Sequence, residues 1–231
     1  MRPSLAAFLI TLALPALAEG GPNIAPAPDQ PAPDQPGAVR ALSLARQLYA
    51  LGLAREDPVI LLTAIKLAHS ADLRAATGWQ KSGDGTAPLD AAAPTGLPRD
   101  PASPAALALA MIMAEGDPAL ADLAADIEAG LARGPAALGH VSMAGSALPA
   151  SATDSWRIPF FGQSRAELAV LGDGSGNLDL RVTDETGAVA CLETGPEDQA
   201  YCAFTPAWNG YFTITVTNRG TAANTYALMT N

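Results

Sequence analysis

Residues 177–184 read Asn-Leu-Asp-Leu-Arg-Val-Thr-Asp, and the apolar side chains Leu178, Leu180 and Val182 stand at every second position. Such an alternation predicts a β-strand with one face buried and the other toward solvent. Residues 212–217 repeat the pattern, with threonines between the apolar side chains. Five further strand candidates lie between turn-forming residues: 155–161, 165–171, 187–193, 199–205 and 224–230. Short strands spaced roughly ten residues apart predict an antiparallel β-sandwich over residues 151–231.

A helical pattern precedes the sandwich. Between two apolar periodic stretches, Asp57 can accept hydrogen bonds from the free amides of the next helix, while Pro58 takes its first position. The pair Asp117-Pro118 repeats this signal further along the chain. The repetition predicts two duplicated helical hairpins, packed as a compact four-helix unit over residues 38–134. The chain is therefore expected to be a multidomain α+β protein with N-terminal α-helical hairpins and a C-terminal β-sandwich.

Three segments lack the composition needed for a packed core. Residues 19–37 are rich in Pro and contain the sequence Pro-Ala-Pro-Asp-Gln twice in tandem, which predicts a disordered tether. Residues 76–103 are interrupted throughout by Gly and Pro, which predicts a long surface loop within the helical domain. Trp79 in this loop is expected to pack back onto the helices. Residues 135–150 are rich in small side chains, and we expect them to form a linker.

Residues 1–18 have the three parts of a cleavable signal peptide. Met1-Arg2 gives a positive start, a short apolar run follows, and Ala16-Leu17-Ala18 supplies the small residues that precede a cleavage site. The alternative is a membrane anchor, but an anchor needs about 20 apolar residues, and Pro15 and a polar Pro-rich segment follow instead. The sequence therefore predicts an exported protein, periplasmic or secreted, without membrane insertion.

The charge of the chain limits its partners. Asp and Glu outnumber Lys and Arg by 23 to 13, and the formal net charge is −10. This excess repels phosphate backbones and anionic lipids, so neither nucleic acid nor a membrane surface is an expected partner. Divalent cations and basic partners remain open.

The chain has two cysteines, Cys191 and Cys202. In an oxidising compartment, an even pair so close in sequence predicts a disulfide bond. Their spacing fits a cross-strand bridge over a hairpin, worth roughly 2 to 3 kcal/mol for so short a loop. A metal pair and a reactive thiol are the alternatives, and no second Cys or His pair lies nearby in sequence to complete a metal site.

Several short motifs follow one another in the last third of the chain: residues 178–184, Gly187, residues 204–206, Gly210-Tyr211 ahead of residues 214–216, and residues 226–228. In order and spacing they resemble the bacterial pre-peptidase C-terminal domain family. The resemblance implies a β-sandwich carried by exported proteins, with a non-catalytic binding or secretion-related role. Tyr211 and Tyr226 are expected to place their rings in the sandwich and their hydroxyls at its rim.

The same resemblance implies one candidate cation site. Some members of the family bind calcium near the acidic strand, and residues 173–179 here carry oxygen-bearing side chains at alternate positions. The candidate ligands are Asp173, Asn177 and Asp179, because oxygen ligands are those that calcium prefers. A plain hairpin turn uses the same residue types, and Asn177 stands where many relatives have an acid, so both interpretations stay open.

A search for catalytic groups finds none that stands out. The two histidines, His69 and His140, are far apart in sequence, and a surface or capping role is the simpler interpretation of His69. Ser175 lacks the strand-turn-helix setting of a hydrolase nucleophile. No phosphate-binding loop or dinucleotide motif is present, and no cofactor is expected apart from the calcium alternative.

The sequence thus predicts a non-catalytic binding or accessory protein that recognises a protein or polysaccharide at the cell envelope. Two alternatives are kept. One is a hydrolase-type enzyme with a carboxylate or cation site between the two domains, and the other is a structural component of an envelope complex.

Overall fold

The computed structural model describes residues 21–26, 37–85, 100–132, 134 and 138–231. The predicted signal peptide and most of the predicted tether lie outside these ranges. The described elements are four helices and ten strands. None of the described helices has the length and apolar character needed to cross a membrane.

Two of the four described helices begin where the sequence places its caps. The described helices are α1 (Ala38–Arg55), α2 (Pro58–Ala68), α3 (Pro104–Met113) and α4 (Pro118–Leu131). The carboxylate of Asp57 accepts from the amides of Val59 and Ile60 at the start of α2, and Asp117 caps α4 in the same way. Each cap is followed by a proline at the first helical position, where a missing amide proton costs nothing. The predicted caps are confirmed.

The four helices share one apolar cluster. It contains Tyr49 of α1, the buried aliphatic side chains of α2, two alanines of α3, and Ala124 and Ile127 of α4. Alanines at the contacts let the helix backbones approach closely. The origin of these helices in a duplicated hairpin stays a prediction.

The strands form two five-stranded sheets stacked as a β-sandwich. In chain order they are β1 (Asp72–Ala75), β2 (Gln80–Gly83), β3 (His140–Leu148), β4 (Thr153–Phe160), β5 (Ala166–Leu171), β6 (Leu178–Thr183), β7 (Val189–Glu193), β8 (Gln199–Phe204), β9 (Gly210–Asn218) and β10 (Asn224–Thr230). The first sheet has the order β1-β3-β10-β5-β8, and the second has the order β2-β4-β9-β6-β7. All pairs are antiparallel except the parallel pair of β1 and β3. The predicted antiparallel sandwich is thus confirmed.

Three strands lie where the sequence predicted something else. Residues 140–148 form β3 rather than part of a linker, and β3 pairs with β10 along seven residues. Residues 72–75 and 80–83, which the sequence assigned to the helical unit and to its long loop, form the edge strands β1 and β2. The ring of Trp79 packs edge-on against Trp156 of the sandwich, not on the helices, with ring centroids 6.1 Å apart. The sandwich therefore takes strands from both sides of the helical segment α3–α4.

Helix α1 covers the outer face of the first sheet. Ala38, Val39 and Leu42 of α1 pack on outward side chains of β3, β5 and β10, among them Val141, Ala169 and Ala227. The carboxylate of Glu167 on β5 accepts from the Arg40 amide at the start of α1. Gly37 admits this carboxylate, since a Cβ there would lie 2.3 Å from Glu167 Oε2. The helices and the sandwich are therefore packed together.

The disulfide predicted between Cys191 and Cys202 is confirmed. It does not cross a hairpin within one sheet, as the spacing suggested. Cys191 lies on β7, at the edge of the second sheet, and Cys202 lies on β8, at the edge of the first. The bond therefore joins the two sheets along one side of the sandwich.

Candidate binding site at the aromatic end of the sandwich

Three large aromatic side chains are exposed at one end of the sandwich. Phe161 follows the last residue of β4 and is 78% exposed, while Trp208 and Tyr211 flank the start of β9 and are 43% and 42% exposed. Strands β4 and β9 pair antiparallel, with Pro159 opposite Tyr211. The end of one strand and the start of the other therefore bring the three rings to the same end. We call Phe161, Trp208 and Tyr211 the aromatic end.

The two loops that carry Phe161 and Trp208 are bonded to each other. The Gly162 amide donates to Asn209 Oδ1 at 2.7 Å, and the Gln163 amide donates to the Pro206 carbonyl at 2.8 Å. Gly162 also permits close approach, because a Cβ there would lie 2.4 Å from the Trp208 Cα atom. These contacts fix the position of one ring relative to the other.

A buried aromatic cluster supports these loops from inside. The rings of Phe160, Phe204 and Phe212 lie with their centroids 4.9 to 5.7 Å apart. Such edge-to-face and tilted arrangements stabilise aromatic groups beyond the burial of their area. The alternation of β4 explains why Phe160 points inward, while Phe161 falls just beyond the strand on the solvent side.

Charged and polar groups border the exposed rings. The indole Nε1 of Trp208 donates to Glu185 Oε1 at 3.0 Å. The guanidinium carbon of Arg157 lies 3.5 Å from the centroid of the Tyr211 ring, a cation–π contact. The sequence predicted that the Tyr211 ring lies in the sandwich; this was wrong, because Phe212 takes the inward position and Tyr211 faces out onto Arg157.

The turn before Glu185 is fixed by Asp184. Its Oδ1 accepts from the Thr186 hydroxyl and from the Thr186 and Ala188 amides, and its Oδ2 accepts from the Asn23 amide at 2.6 Å. Burial acts to raise the pKa of Asp184, but these hydrogen bonds outweigh burial and hold the pKa below its ordinary value. Asp184 is thus a structural carboxylate, whereas Glu185 is exposed.

The other end of the sandwich holds the predicted calcium ligands. Asp173 and Asn177 lie before the start of β6 and Asp179 lies on it, whereas Glu185 follows the end of the same strand. Asp173 accepts from the amides of Ser175 and Thr225, and Asp179 accepts from Arg219 Nε at 2.7 Å. Asn177 Oδ1 is buried without a hydrogen-bond partner in the structure.

These contacts are those of a turn held by hydrogen bonds within the protein. They fit a calcium site less well. Each of the two carboxylates already has at least one oxygen bonded to the protein, and Asp179 faces a guanidinium. In the described parts of the chain, no group of three or more His, Cys, Asp or Glu side chains is placed to hold a metal ion. A calcium site at these residues stays a prediction.

A buried polar network lies inside the sandwich toward this second end. The carboxylate of Asp154, which is fully buried, accepts from Lys81 Nζ at 2.9 Å and from the hydroxyls of Ser146 and Tyr226 at 2.8 Å each. The Tyr226 hydroxyl also accepts from Trp156 Nε1 at 2.7 Å. Burial raises the pKa of Tyr226 well above its ordinary value. The Tyr226 ring lies in the sandwich as predicted, but its hydroxyl is inside this network and not at the rim.

The two histidines lie near the helices. His69 is the C-cap residue of α2, and burial lowers its pKa. It lines a cleft of about 700 Å³ between α2 and α4, together with Lys66, Asp126 and aliphatic side chains. His140 was predicted to lie in a linker, but it lies on β3, where its Nδ1 is 2.8 Å from Asp72 Oδ2. Hydrogen bonds from Arg74 and His140 lower the pKa of Asp72.

Among the described residues, two cavities lie between the helices and the first sheet. One of about 250 Å³ has Asp72 as the one carboxylate in its described lining, and one of about 30 Å³ has Asp100. Glycoside hydrolysis generally needs two carboxylates that flank the scissile bond. The described residues therefore supply no paired-carboxylate site of that kind in either cavity.

The sequence reasoning missed Phe161, Trp208, Glu185 and Asn23. A signal for the first two was present: Phe161 follows Phe160, so two large aromatics cannot both point inward from one strand. Trp208 stands in a Pro-Ala-Trp-Asn-Gly turn, where a large aromatic has no core to enter. No local pattern identifies Asn23, because its contacts are all to residues far away in sequence.

Comparison with protein-family models gives no match, and comparison with curated proteins gives none either. Solved structures give matches to part of the chain. The pre-peptidase C-terminal domain of a collagenase from Bacillus anthracis matches 39% of this chain and 88% of its own, at 16% identity and a TM-score of 0.33. PliG from Aeromonas hydrophila, a periplasmic inhibitor of g-type lysozyme, matches 40% and 85%, at 16% identity and a TM-score of 0.28. A carbohydrate-binding module in complex with calcium and xylotriose matches 37% and 77%, at 13% identity and a TM-score of 0.27. Likenesses at these identities and TM-scores say nothing about the function of this chain.

Proposed function

We propose that this chain is an exported, non-catalytic binding protein whose aromatic end recognises a polysaccharide of the cell envelope. The observation that carries the proposal is the exposure of Phe161, Trp208 and Tyr211 on loops that are bonded to each other above a packed aromatic cluster. Membership of the pre-peptidase C-terminal domain family and a periplasmic or secreted location belong to the same proposal.

Exposed aromatic faces suit a sugar ring. The π face of an aromatic ring carries partial negative charge and attracts the slightly positive C–H groups on the flat face of a pyranose. Rigid aromatic side chains also give a large contact area with little loss of conformational freedom. Because Trp208 and Phe161 lie on adjoining loops, they can contact neighbouring units of one polymer.

Hydrogen-bonding groups beside the rings supply orientation. Glu185 can accept from sugar hydroxyls, and the Arg157 guanidinium can donate to them. The net charge of −10 disfavours polyanionic polymers. We therefore expect the preferred polysaccharide to be neutral or to carry few negative charges.

The geometry supports binding rather than hydrolysis. Of the two carboxylates at the aromatic end, Asp184 is engaged with four protein donors, which leaves Glu185 as the exposed one. One exposed carboxylate does not provide the acid and the second group that glycoside hydrolysis generally requires. The hydrolase alternative therefore has less support at this end than binding has.

The test is isothermal titration calorimetry with a panel of soluble polysaccharides. The panel contains xylan, β-glucan, galactan and solubilised peptidoglycan fragments, with alginate as a polyanion. We expect at least one polysaccharide other than alginate to bind, and Trp208→Ala to weaken that binding at least tenfold. Leu192→Ala is the matched control, because Leu192 is exposed on β7 away from the aromatic end. Equal losses in both variants, or no binding by the wild type, would refute the proposal.

A further inference from the structure

Residues 21–26, which the sequence placed in a disordered tether, lie against the aromatic end although they are far from it in sequence. Among them, Asn23 is 0% exposed, which is rare for an amide side chain. A buried amide keeps its place only if its donors and acceptor find partners. We call residues 21–26 the N-terminal clamp.

Asn23 bonds to both loops that form the polar border of the aromatic end. Its backbone amide donates to Asp184 Oδ2 at 2.6 Å, and its Oδ1 accepts from the Trp208 amide at 2.9 Å. Its Nδ2 lies 3.5 Å from Glu185 Oε2, at the outer limit of a hydrogen bond. One residue thus connects the turn with Glu185, chiefly through its backbone amide, to the loop with Trp208, through its side-chain oxygen.

Two further contacts show that the sandwich is shaped to receive the clamp. The Ala25 amide donates to the Thr205 carbonyl at 2.8 Å, just past the end of β8. A Cβ at Gly210 would lie 2.5 Å from Asn23 Nδ2 and 3.1 Å from Glu185 Oε2. The absence of a side chain at position 210 therefore makes room for the Asn23 amide.

We propose that Asn23 is a positioning residue, which holds Trp208 and Glu185 in the arrangement that binds the ligand. The proposal rests on the proposed function, since it assigns the clamp to that site. An exposed turn and an exposed loop without such a connection would lose conformational freedom on binding, and this loss weakens affinity. The clamp orders them before the ligand arrives.

Docking of the N-terminal clamp and binding of the ligand are coupled in both directions. If a docked clamp favours ligand binding, then bound ligand must favour the docked clamp by the same factor. Asparagine suits this role because one side chain supplies a donor for Glu185 and an acceptor for the Trp208 amide. An aspartate at position 23 would lose the donor and place its charge beside Asp184 and Glu185.

The test compares Asn23→Asp and Asn23→Ala with Pro22→Ala in the otherwise unchanged chain. Pro22 is exposed and adjacent, so it controls for changes in the segment itself. We expect the polysaccharide that binds best to wild type to bind at least tenfold more weakly to Asn23→Asp, and binding to Pro22→Ala to be unchanged. Gly210→Ala should give a loss in the same direction, because its methyl group displaces the Asn23 amide.

A second readout needs no ligand. Quenching of tryptophan fluorescence by the neutral quencher acrylamide, taken as the difference from a Trp208→Phe background, reports the exposure of Trp208. We expect Asn23→Asp to increase this quenching. A third readout does use ligand: hydrogen exchange of the Asn23 amide in wild type should slow when the polysaccharide that binds best is added.

The outcomes separate this proposal from the proposed function. If wild type binds no polysaccharide but Asn23→Asp exposes Trp208, the proposed function fails and the positioning of Trp208 stands. If wild type binds and Asn23→Asp binds equally well, the positioning role is overturned and the proposed function stands. Ligand binding that leaves exchange of the Asn23 amide unchanged overturns the coupling.

Discussion

The two ends of the sandwich handle polar and apolar groups in opposite ways. We call residues 173–179 the acidic turn. Toward that end of the sandwich, polar side chains point inward, where Lys81 and Tyr226 both bond to Asp154. At the aromatic end, the core is phenylalanine, and further aromatic rings are left in water. Residues with recognisable ligand chemistry can thus be fully engaged within the protein. The side chains available to a partner are instead aromatic rings whose exposure the fold itself does not require.

The largest effect is expected from breaking the buried network. Lys81→Met removes the cation that faces Asp154, whose side chain is fully buried, and leaves that carboxylate without its counter-charge. Breaking such a buried pair costs about 3 to 5 kcal/mol of unfolding free energy. Chemical denaturation measures it.

Lys66→Met is the control, because Lys66 is exposed on α2. The comparison of the two ends also predicts that Trp208→Ala changes the unfolding free energy far less than Lys81→Met does. Equal destabilisation by Lys81→Met and Lys66→Met would contradict the internal role of the network.

The disulfide gives a smaller effect. Replacing Cys191 and Cys202 by alanine releases the bond between the edge strands β7 and β8. We expect a loss of roughly 2 to 3 kcal/mol in unfolding free energy, since the closed loop is short. Polysaccharide binding at 25 °C should be retained because Phe161, Trp208 and Tyr211 lie outside β7 and β8. Leu192→Ala is the reference variant. If the double variant were no less stable than Leu192→Ala, the disulfide would not stabilise the fold as expected.

The pH dependence of stability tests Asp184, the carboxylate that accepts from the Asn23 amide of the N-terminal clamp. The pKa of Asp184 is lowered in the folded chain, so its stabilising contribution is complete above the unfolded pKa of about 4 and is lost as the pH falls through the lower folded value. The difference in stability between wild type and Asp184→Asn should therefore shrink below about pH 4. A difference that stays constant from pH 7 to pH 2 would show that Asp184 does not hold the turn as a carboxylate.

The smallest effect is expected at the acidic turn. Asp173 and Asp179 accept hydrogen bonds within the protein, so millimolar calcium should leave the thermal unfolding temperature of wild type unchanged. Asp173→Asn is the matched variant. A rise of several degrees in wild type that is absent from Asp173→Asn would establish the calcium site that the sequence resemblance implied.

The sequence predicted well those strands that have one solvent face. The inward and outward side chains of β6 and β9 differ in polarity, so their alternation is visible. Strand β3 was missed because α1 covers the outer face of its sheet, and both faces of the strand then carry small or apolar side chains. Burial on two sides removes the alternation that identifies a strand. Strands β1 and β2 are four residues each, too short for any period to show.

The candidate site was less predictable than the fold. The disulfide and the helix caps depend on residue types that have one dominant structural use. Exposure of Phe161 and Trp208 depends instead on where each strand stops, which single-sequence patterns locate poorly. The contribution of Asn23 depends on contacts to residues 184, 185 and 208, and no periodicity or turn motif encodes contacts over such separations.

The central claim is that ligand contacts the aromatic end, and the indole N–H resonances of the three tryptophans test it most directly. Trp156 is buried and bonded to Tyr226, and Trp79 packs against it, whereas Trp208 is exposed beside Glu185. On titration with the polysaccharide that binds best, we expect the Trp208 resonance to move, while those of Trp79 and Trp156 stay in place. Saturable binding that leaves the Trp208 resonance unmoved would show that the ligand contacts another part of the chain.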